Sequence, residues 1–295
     1  MSLTSATTVS RPAIRLWPLL IVTLGGSFTG FSGILLRLSE VGPAATGGWR
    51  LAIAALIFMP IMLQTEGRAS FSRGVPVLLL AGMFFAVDIA FYHWALHLTS
   101  VAHATLLTNL APVVALVAGV FFFAERLNAP KLLGLAAALS GAFLMTGGRI
   151  DVGGTLEGNG LAVLSMVGYA SYLITVKFVR RSHSTMAIMA WSSLASAACL
   201  FMVAWVSGET IIPTSVYGWS VVIGMGLVAH VMGQGLIAFG MREAPVGLGS
   251  ILLLTQPVVA STGAWVLFNE TLGALEVLGA GLVLTGLVLA SRARG

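Results

Sequence analysis

The chain carries very little charge. Asp, Glu, Lys and Arg make up 8% of its 295 residues, whereas roughly 25% of residues are charged in soluble domains. A soluble protein of this length could not cover its surface with so few charged side chains. Apolar runs close to the spanning length of about 20 residues recur from one end of the chain to the other. The composition therefore excludes a soluble domain and indicates a polytopic membrane protein.

The residues of several kinds of reactive site are also missing. The single Cys199 excludes an intramolecular disulfide, and none of the five histidines has the spacing of a zinc site with a nearby carboxylate. No G-x-x-x-x-G-K-[ST] loop occurs, so a nucleotide-driven pump would need a separate subunit. An intramembrane enzyme using Asp88 and His93 would lack a second catalytic carboxylate or nucleophile. We therefore expect no cofactor, no metal and no enzymatic activity.

Polar residues, glycine and proline divide the chain into ten apolar segments, each typical of a membrane-spanning helix. The first is too long for a signal peptide and is expected to remain as a helix. The expected all-helical spans are 14–38, 43–64, 75–98, 101–124, 128–147, 158–180, 184–206, 215–241, 246–268 and 272–291.

The positions of Lys and Arg predict the orientation of these helices. With the N-terminus in the cytoplasm, all of the 15 basic residues except Arg37, Arg50 and Arg149 fall on the cytoplasmic side. Both termini are therefore expected to be cytoplasmic. Since the basic residues lie between apolar runs, membrane topology explains the net charge of +5 better than nucleic-acid binding does.

A sequence repeat relates the two halves of the chain. The stretch "APVVALVAGVFFFAERL" returns 145 residues later as "QPVVASTGAWVLFNETL", with Pro112 aligned to Pro257 and Glu125 to Glu270. If each half has five helices, an odd number, the second half enters the membrane from the opposite side. Glu125 and Glu270 then lie at opposite faces, and we expect each to end its helix and set the following turn.

This pattern predicts an inverted repeat, by which many secondary transporters form two access states. The expected organisation is a first unit at 14–147, a linker at 148–157 and a second unit at 158–291. A duplication kept only for stability and a channel with inverted repeats are the alternatives. Because duplication already supplies two halves, we expect a monomer rather than a dimer.

The repeated motif resembles the EamA family of the drug/metabolite transporter superfamily. The resemblance covers essentially the whole chain and is strongest at "LAPVVALVAGVFFFAERLNAPKLLGLAAALSGAFLM" and "TQPVVASTGAWVLFNETLGALEVLGAGLVLTGLVLA". It implies a multi-pass inner-membrane transporter of small metabolites, with a central cavity lined by helices 1, 3, 4, 6, 8 and 9. Amino-acid exporters of the YddG type are the leading subgroup, and exporters of other metabolites or drug-like compounds are the alternative.

Two helices carry polar residues inside the predicted membrane. Asp88 is the one acid near the middle of a span, with Tyr92 at i+4 and His93 beside it. His230 and Gln234 form a second i, i+4 pair. A buried charge is costly in a membrane, so it needs a role. Asp88 could attract a substrate ammonium, carry a coupling proton, or bond to a neighbouring helix.

Pro112 and Pro257 are expected to kink their helices, because proline removes a backbone hydrogen bond and clashes with the carbonyl four residues earlier. Asn109 and Gln256 precede them and could bond the freed carbonyls or face the substrate. A kink that flexes during transport is the alternative to a purely structural one.

Aromatic residues complete the set of candidates for the pathway. Those on helices expected to line the cavity are Phe28, Trp94, Tyr169 and Tyr172. They could provide a face for an apolar or aromatic substrate group, although packing and lipid contact are the more common roles of such residues.

Overall fold

The computed structural model describes residues 16–67, 74–99, 101–147, 155–269 and 272–292. All regular elements in these ranges are helical. The helices are α1 (Leu16–Gly30), α2 (Ser32–Arg37), α3 (Pro43–Glu66), α4 (Val75–Leu98), α5 (Val101–Thr108), α6 (Ala111–Phe123), α7 (Ala129–Met145), α8 (Leu156–Val179), α9 (Thr185–Val206), α10 (Val216–Gly224), a π-helical segment (Met225–Gln234), α11 (Gly235–Gly240), α12 (Val246–Leu252), α13 (Thr255–Phe268) and α14 (Ala274–Ser291).

Within the described ranges, nine single helices or nearly continuous runs of helix are long and apolar enough to cross a membrane. The helix α7 is also apolar but has only 17 residues, below the length required for that count. With the apolar composition, these helices make the chain a multi-pass membrane protein. The expected count of ten spans is one more than this criterion gives.

Two of the expected spans are broken just before a proline. The span 101–124 consists of α5 and α6, and the span 246–268 consists of α12 and α13. Pro112 and Pro257 lie in the first turns of α6 and α13, where a missing backbone N–H costs little. The prolines therefore begin new helices after tight turns, rather than bending continuous ones.

A π-helical segment interrupts the expected span 215–241. It runs for ten residues between α10 and α11 and carries both His230 and Gln234. π-helical turns are uncommon and often occur at functional sites. The apolar pattern that predicts the span contains no signal for this change of winding.

Small residues allow the helices to approach closely. The helix α3 packs on α9, α4 packs on α8 and α9, and α7 packs on α14. Between α7 and α14 the backbones touch: a Cβ added to Gly141 would lie 2.5 Å from the Gly279 carbonyl oxygen, and one added to Gly279 would lie 2.6 Å from that of Gly141. Glycine is required at both positions, since a methyl group there would meet backbone atoms.

Glu125 does not set the turn before α7. Its carboxylate reaches α12, where it accepts hydrogen bonds from the backbone N–H groups of Val246 and, at 3.1 Å, Gly247. The α7 N-terminus is capped by Asn128, which accepts from the Lys131 N–H at 3.1 Å. The aligned Glu270 lies outside the described residues.

Candidate functional site

A cavity of about 280 Å³ lies where the broken helices meet the middle of the bundle. It extends from the centre towards the end of the bundle where α2 finishes and α3 begins. Its volume is close to the lower end of the range for small-molecule sites, about 300–1,000 Å³. The walls come from α1, α2, α3, α4, α8, the π-helical segment and the two pre-proline breaks.

Asp88 places a carboxylate on the cavity wall. One carboxylate oxygen accepts a hydrogen bond of 2.7 Å from the hydroxyl of Ser165, a fully buried residue of α8. The backbones of α4 and α8 approach closely here, because a Cβ added to Gly168 would lie 2.9 Å from the Asp88 nitrogen. Asp88 therefore makes the expected bond to a neighbouring helix and also lines the cavity.

Arg50 supplies a positive charge to the cavity wall, whereas the distribution of Lys and Arg places it on the outer side of the membrane. It lies in the third turn of α3, is 8% exposed and lines the cavity. Its guanidinium lies 5.7 Å from the centre of the Phe85 ring and donates a hydrogen bond of 3.5 Å to the Ala229 carbonyl. Arg50 is close enough to Asp88 for the two charges to interact electrostatically. The cavity wall thus contains both signs of charge.

The helix breaks add amide groups to the wall. Asn109 lies between α5 and α6, and Gln256 lies in the first turn of α13. The Tyr169 hydroxyl interacts with the side chains of Gln256 and Gln234. The Nδ2 group of Asn109 is buried without a hydrogen-bond partner in the described part of the chain. Asn109 therefore does not donate to a freed carbonyl, as the kink-stabilising role would require.

The two intramembrane histidines are placed differently. His93 lines the cavity, and its Nδ1 atom is buried with no partner among the described residues. His230 is buried behind the wall, with its Nε2 atom 3.0 Å from the Ser193 hydroxyl and its ring stacked obliquely on Phe85. The expectation that His230 and Gln234 share a cavity-facing surface holds for Gln234 only, because the π-helical segment packs His230 against α9.

Three predicted aromatic residues are also absent from the cavity lining. Trp94 is 41% exposed and packs edge-on against Phe91, which places it on the outer surface of α4. Tyr172 is 1% exposed and lies behind Phe85, with the ring centres 4.7 Å apart. Phe28 is partly buried on α1 beside the cavity residue Thr29. Each lies on a helix that was expected to line the cavity, but its side chain is not part of the cavity lining.

The remaining candidates line the cavity together. They are Asp88, Tyr92, His93, Asn109, Pro112, Tyr169, Gln234, Gln256 and Pro257. Tyr92 is held by a 2.9 Å hydrogen bond between its hydroxyl and that of Thr105, which joins α4 to α5. The described residues contain no cluster of three or more His, Cys, Asp or Glu that could hold a metal ion. The arrangement suits reversible binding of a small polar molecule between helices.

Comparison with known proteins defines the class. A family model for the EamA-like transporter family matches residues 16–147 and 156–292. An uncharacterized transporter of Archaeoglobus fulgidus is 28% identical over 82% of this chain and 84% of its own length. The pseudopaline exporter CntI of Pseudomonas aeruginosa is 22% identical over 94% of this chain and 96% of its own. A solved crystal structure with 20% identity has a TM-score of 0.82 and covers 94% of this chain and 96% of that one.

The helices and the family match define the class as a multi-pass membrane transporter. The chain belongs to the EamA-like transporter family.

Proposed function

We propose that the protein exports small metabolites, with amino acids as the leading class and aromatic amino acids among them. The observation that carries this proposal is the central cavity, whose wall combines Asp88 and Arg50 with the aromatic rings of Phe85 and Tyr169. An amino acid has an ammonium, a carboxylate and a side chain to match these groups. The similarity to the pseudopaline exporter supports export, and export of a metabolite other than an amino acid is the alternative.

The proposed mechanism is alternating access by ten helices arranged as two inverted five-helix repeats, 14–147 and 158–291, with 148–157 as the linker. Matching interruptions before Pro112 and Pro257 support this arrangement, because the two breaks occupy aligned positions and both border the cavity. Short helices separated by turns can move as units. We propose Pro112 and Pro257 as the points where this motion occurs.

The proposed setting is the inner membrane, with both termini in the cytoplasm and the protein acting as a monomer. In this orientation the cavity extends towards the outside. Contacts at the cytoplasmic end support a closed inner side: Glu125 caps α12, and the Lys177 ammonium donates to the carbonyls of Met241 at 3.0 Å and Ala244 at 2.5 Å.

Asp88 is the proposed carrier of a coupling proton. It is the acid that lines the cavity, and the groups around it are Ser165, Arg50, Tyr92 and Tyr169. A proton taken up by Asp88 would change the charge facing the substrate. Substrate binding and release would then depend on the protonation state of Asp88, which is set by the side of the membrane to which the cavity is open.

The test is flux in proteoliposomes across a panel of amino acids, with and without a pH gradient. A transporter shows saturable uptake and exchange, and proton coupling makes uptake respond to the gradient. Absence of flux for every member would refute the amino-acid assignment. Saturation-free flux with discrete conductance steps would instead indicate a channel-like facilitator.

A further inference from the structure

Three cavity residues have buried hydrogen-bond donors without partners. They are the Nε atom of Arg50, the Nδ2 group of Asn109 and the Nε2 group of Gln234. None of them makes a geometrically defined hydrogen bond to another described residue, although the Gln234 amide lies near the hydroxyls of Tyr169 and Tyr172. Arg50 is 8% exposed and Gln234 is 1% exposed, so bulk water covers little of either side chain. All three residues line the same cavity. The Nδ1 atom of His93 is also unpartnered and can donate or accept according to the tautomer, so the unpartnered groups of fixed role are all donors.

An excess of buried donors selects a ligand rich in acceptors. A buried donor left unpaired costs roughly 1–3 kcal/mol, and more when the group is charged. A carboxylate offers two oxygens that accept several hydrogen bonds, and its pairing with a guanidinium is among the strongest in proteins. An ammonium would only add further donors. The side chains of Arg50, Asn109 and Gln234 thus match an anion better than a cation.

Asp88 does not satisfy these donors itself. One of its oxygens accepts from Ser165, and the guanidinium of Arg50 packs over Phe85 and bonds to the Ala229 carbonyl. Arg50 and Asp88 therefore make their hydrogen bonds to other groups, although their charges are close enough to interact. A ligand with both charges can use each of them, with its carboxylate at Arg50 and its ammonium at Asp88.

We propose that Arg50, Gln234 and Asn109 form a subsite for the substrate carboxylate, with Arg50 as the residue that determines specificity for it. This proposal rests on the proposed function for the identity of the substrate. It adds the requirement that a transported molecule carry a carboxylate.

The first experiment uses the unaltered protein with four related probes. L-phenylalanine and 3-phenylpropionate carry the carboxylate, whereas phenylalaninamide and phenethylamine do not. Apparent affinities from thermal-shift titrations in detergent should be at least about tenfold tighter for the two carboxylates than for the amide and the amine, both of which keep an amino group but lack the carboxylate. Equal binding of phenethylamine and phenylalanine, or no binding of either carboxylate, would overturn the subsite. This experiment does not depend on the folding of any variant.

The second experiment changes the guanidinium. Arg50→Gln should weaken binding of 3-phenylpropionate at least about tenfold. Arg50→Lys should recover only part of the loss, because an ammonium lacks the planar fork of donors. The matched control is Arg292→Gln, since Arg292 is exposed just beyond α14 and should not affect binding. An unchanged preference for carboxylates in both Arg50 variants would also overturn the proposal.

Flux of labelled phenylalanine separates this inference from the proposed function. If flux is the same for probes with and without a carboxylate and is unchanged in the Arg50 variants, the transport proposal stands and the subsite is refuted. No flux of any amino acid, together with Arg50-dependent binding of 3-phenylpropionate, would refute amino-acid export and retain the subsite.

Discussion

The contact between α7 and α14 predicts different effects for alanine at two glycines of α14, Gly279 and Gly281, that are only two residues apart. In Gly279→Ala the new methyl group would lie 2.6 Å from the Gly141 carbonyl oxygen and 2.9 Å from the Met145 nitrogen. These are backbone atoms, so the helices themselves must separate. Overpacking of this kind costs about 1–3 kcal/mol, which exceeds the gain of roughly 0.5–1 kcal/mol from replacing glycine by alanine in a helix.

The control is Gly281→Ala in the same helix, where a Cβ would have no other atom within 4 Å. It should keep the full benefit of alanine and be neutral or stabilising. With a change of about 2–4 °C per kcal/mol for a chain of this size, Gly279→Ala should lower the midpoint of thermal unfolding while Gly281→Ala leaves it equal or higher. The assay is intrinsic-fluorescence melting in detergent. Equal midpoints for the two variants would refute the close packing of these helices.

Two further predictions concern charged side chains. Glu125→Gln should lower the melting midpoint by an amount equivalent to roughly 1–2 kcal/mol, because the charged acceptor for two backbone N–H groups of α12 is lost. The control is Arg126→Gln at the exposed neighbouring residue, which should leave the midpoint unchanged. Equal losses in the two variants would contradict the capping role of Glu125. Asp88→Asn should abolish the pH dependence of flux while leaving exchange measurable. The control is Glu243→Gln at an exposed residue, which should change neither the pH dependence nor the exchange. If the pH dependence persists in Asp88→Asn, Asp88 does not carry the coupling proton.

Arg50 shows why a rule about loops misses part of a site. The count of Lys and Arg that predicts orientation placed Arg50 on the outer side, although the predicted span 43–64 contains it. In the structure it lies in the third turn of α3 and is buried. The signal that could have identified it is the position itself: an arginine inside an otherwise apolar helix needs a partner or a function.

The helix breaks could be anticipated, but the faces of the helices could not. Proline marks the positions of both breaks, because it disrupts the hydrogen bonding of the preceding turn. By contrast, the π-helical winding that buries His230 and leaves Gln234 on the cavity has no signature in the apolar pattern. Rotation of a uniformly apolar helix is fixed by packing, so Trp94 and Tyr172 could be assigned to helices but not to the cavity.

Long-range partners were also beyond reach of the sequence. Asp88 was recognised as an unusual acid, yet its bond to Ser165 depends on the close approach of α4 and α8. Glu125 was placed correctly after its helix, but its target is 121 residues away in α12. Local patterns predict where a helix ends, whereas tertiary packing decides which neighbour the final side chain contacts.

The most direct test of the central claim, that this cavity is where substrate binds, uses a single introduced thiol. Gly33 lines the cavity, and a side chain there would have open space around it. In a Cys199→Ala background, a bulky methanethiosulfonate reagent should modify Gly33→Cys and stop flux, and a transported amino acid should slow the modification. Gly160→Cys, exposed at the start of α8 and outside the cavity lining, should be modified without either effect. Undiminished flux after complete modification of Gly33→Cys would contradict the account.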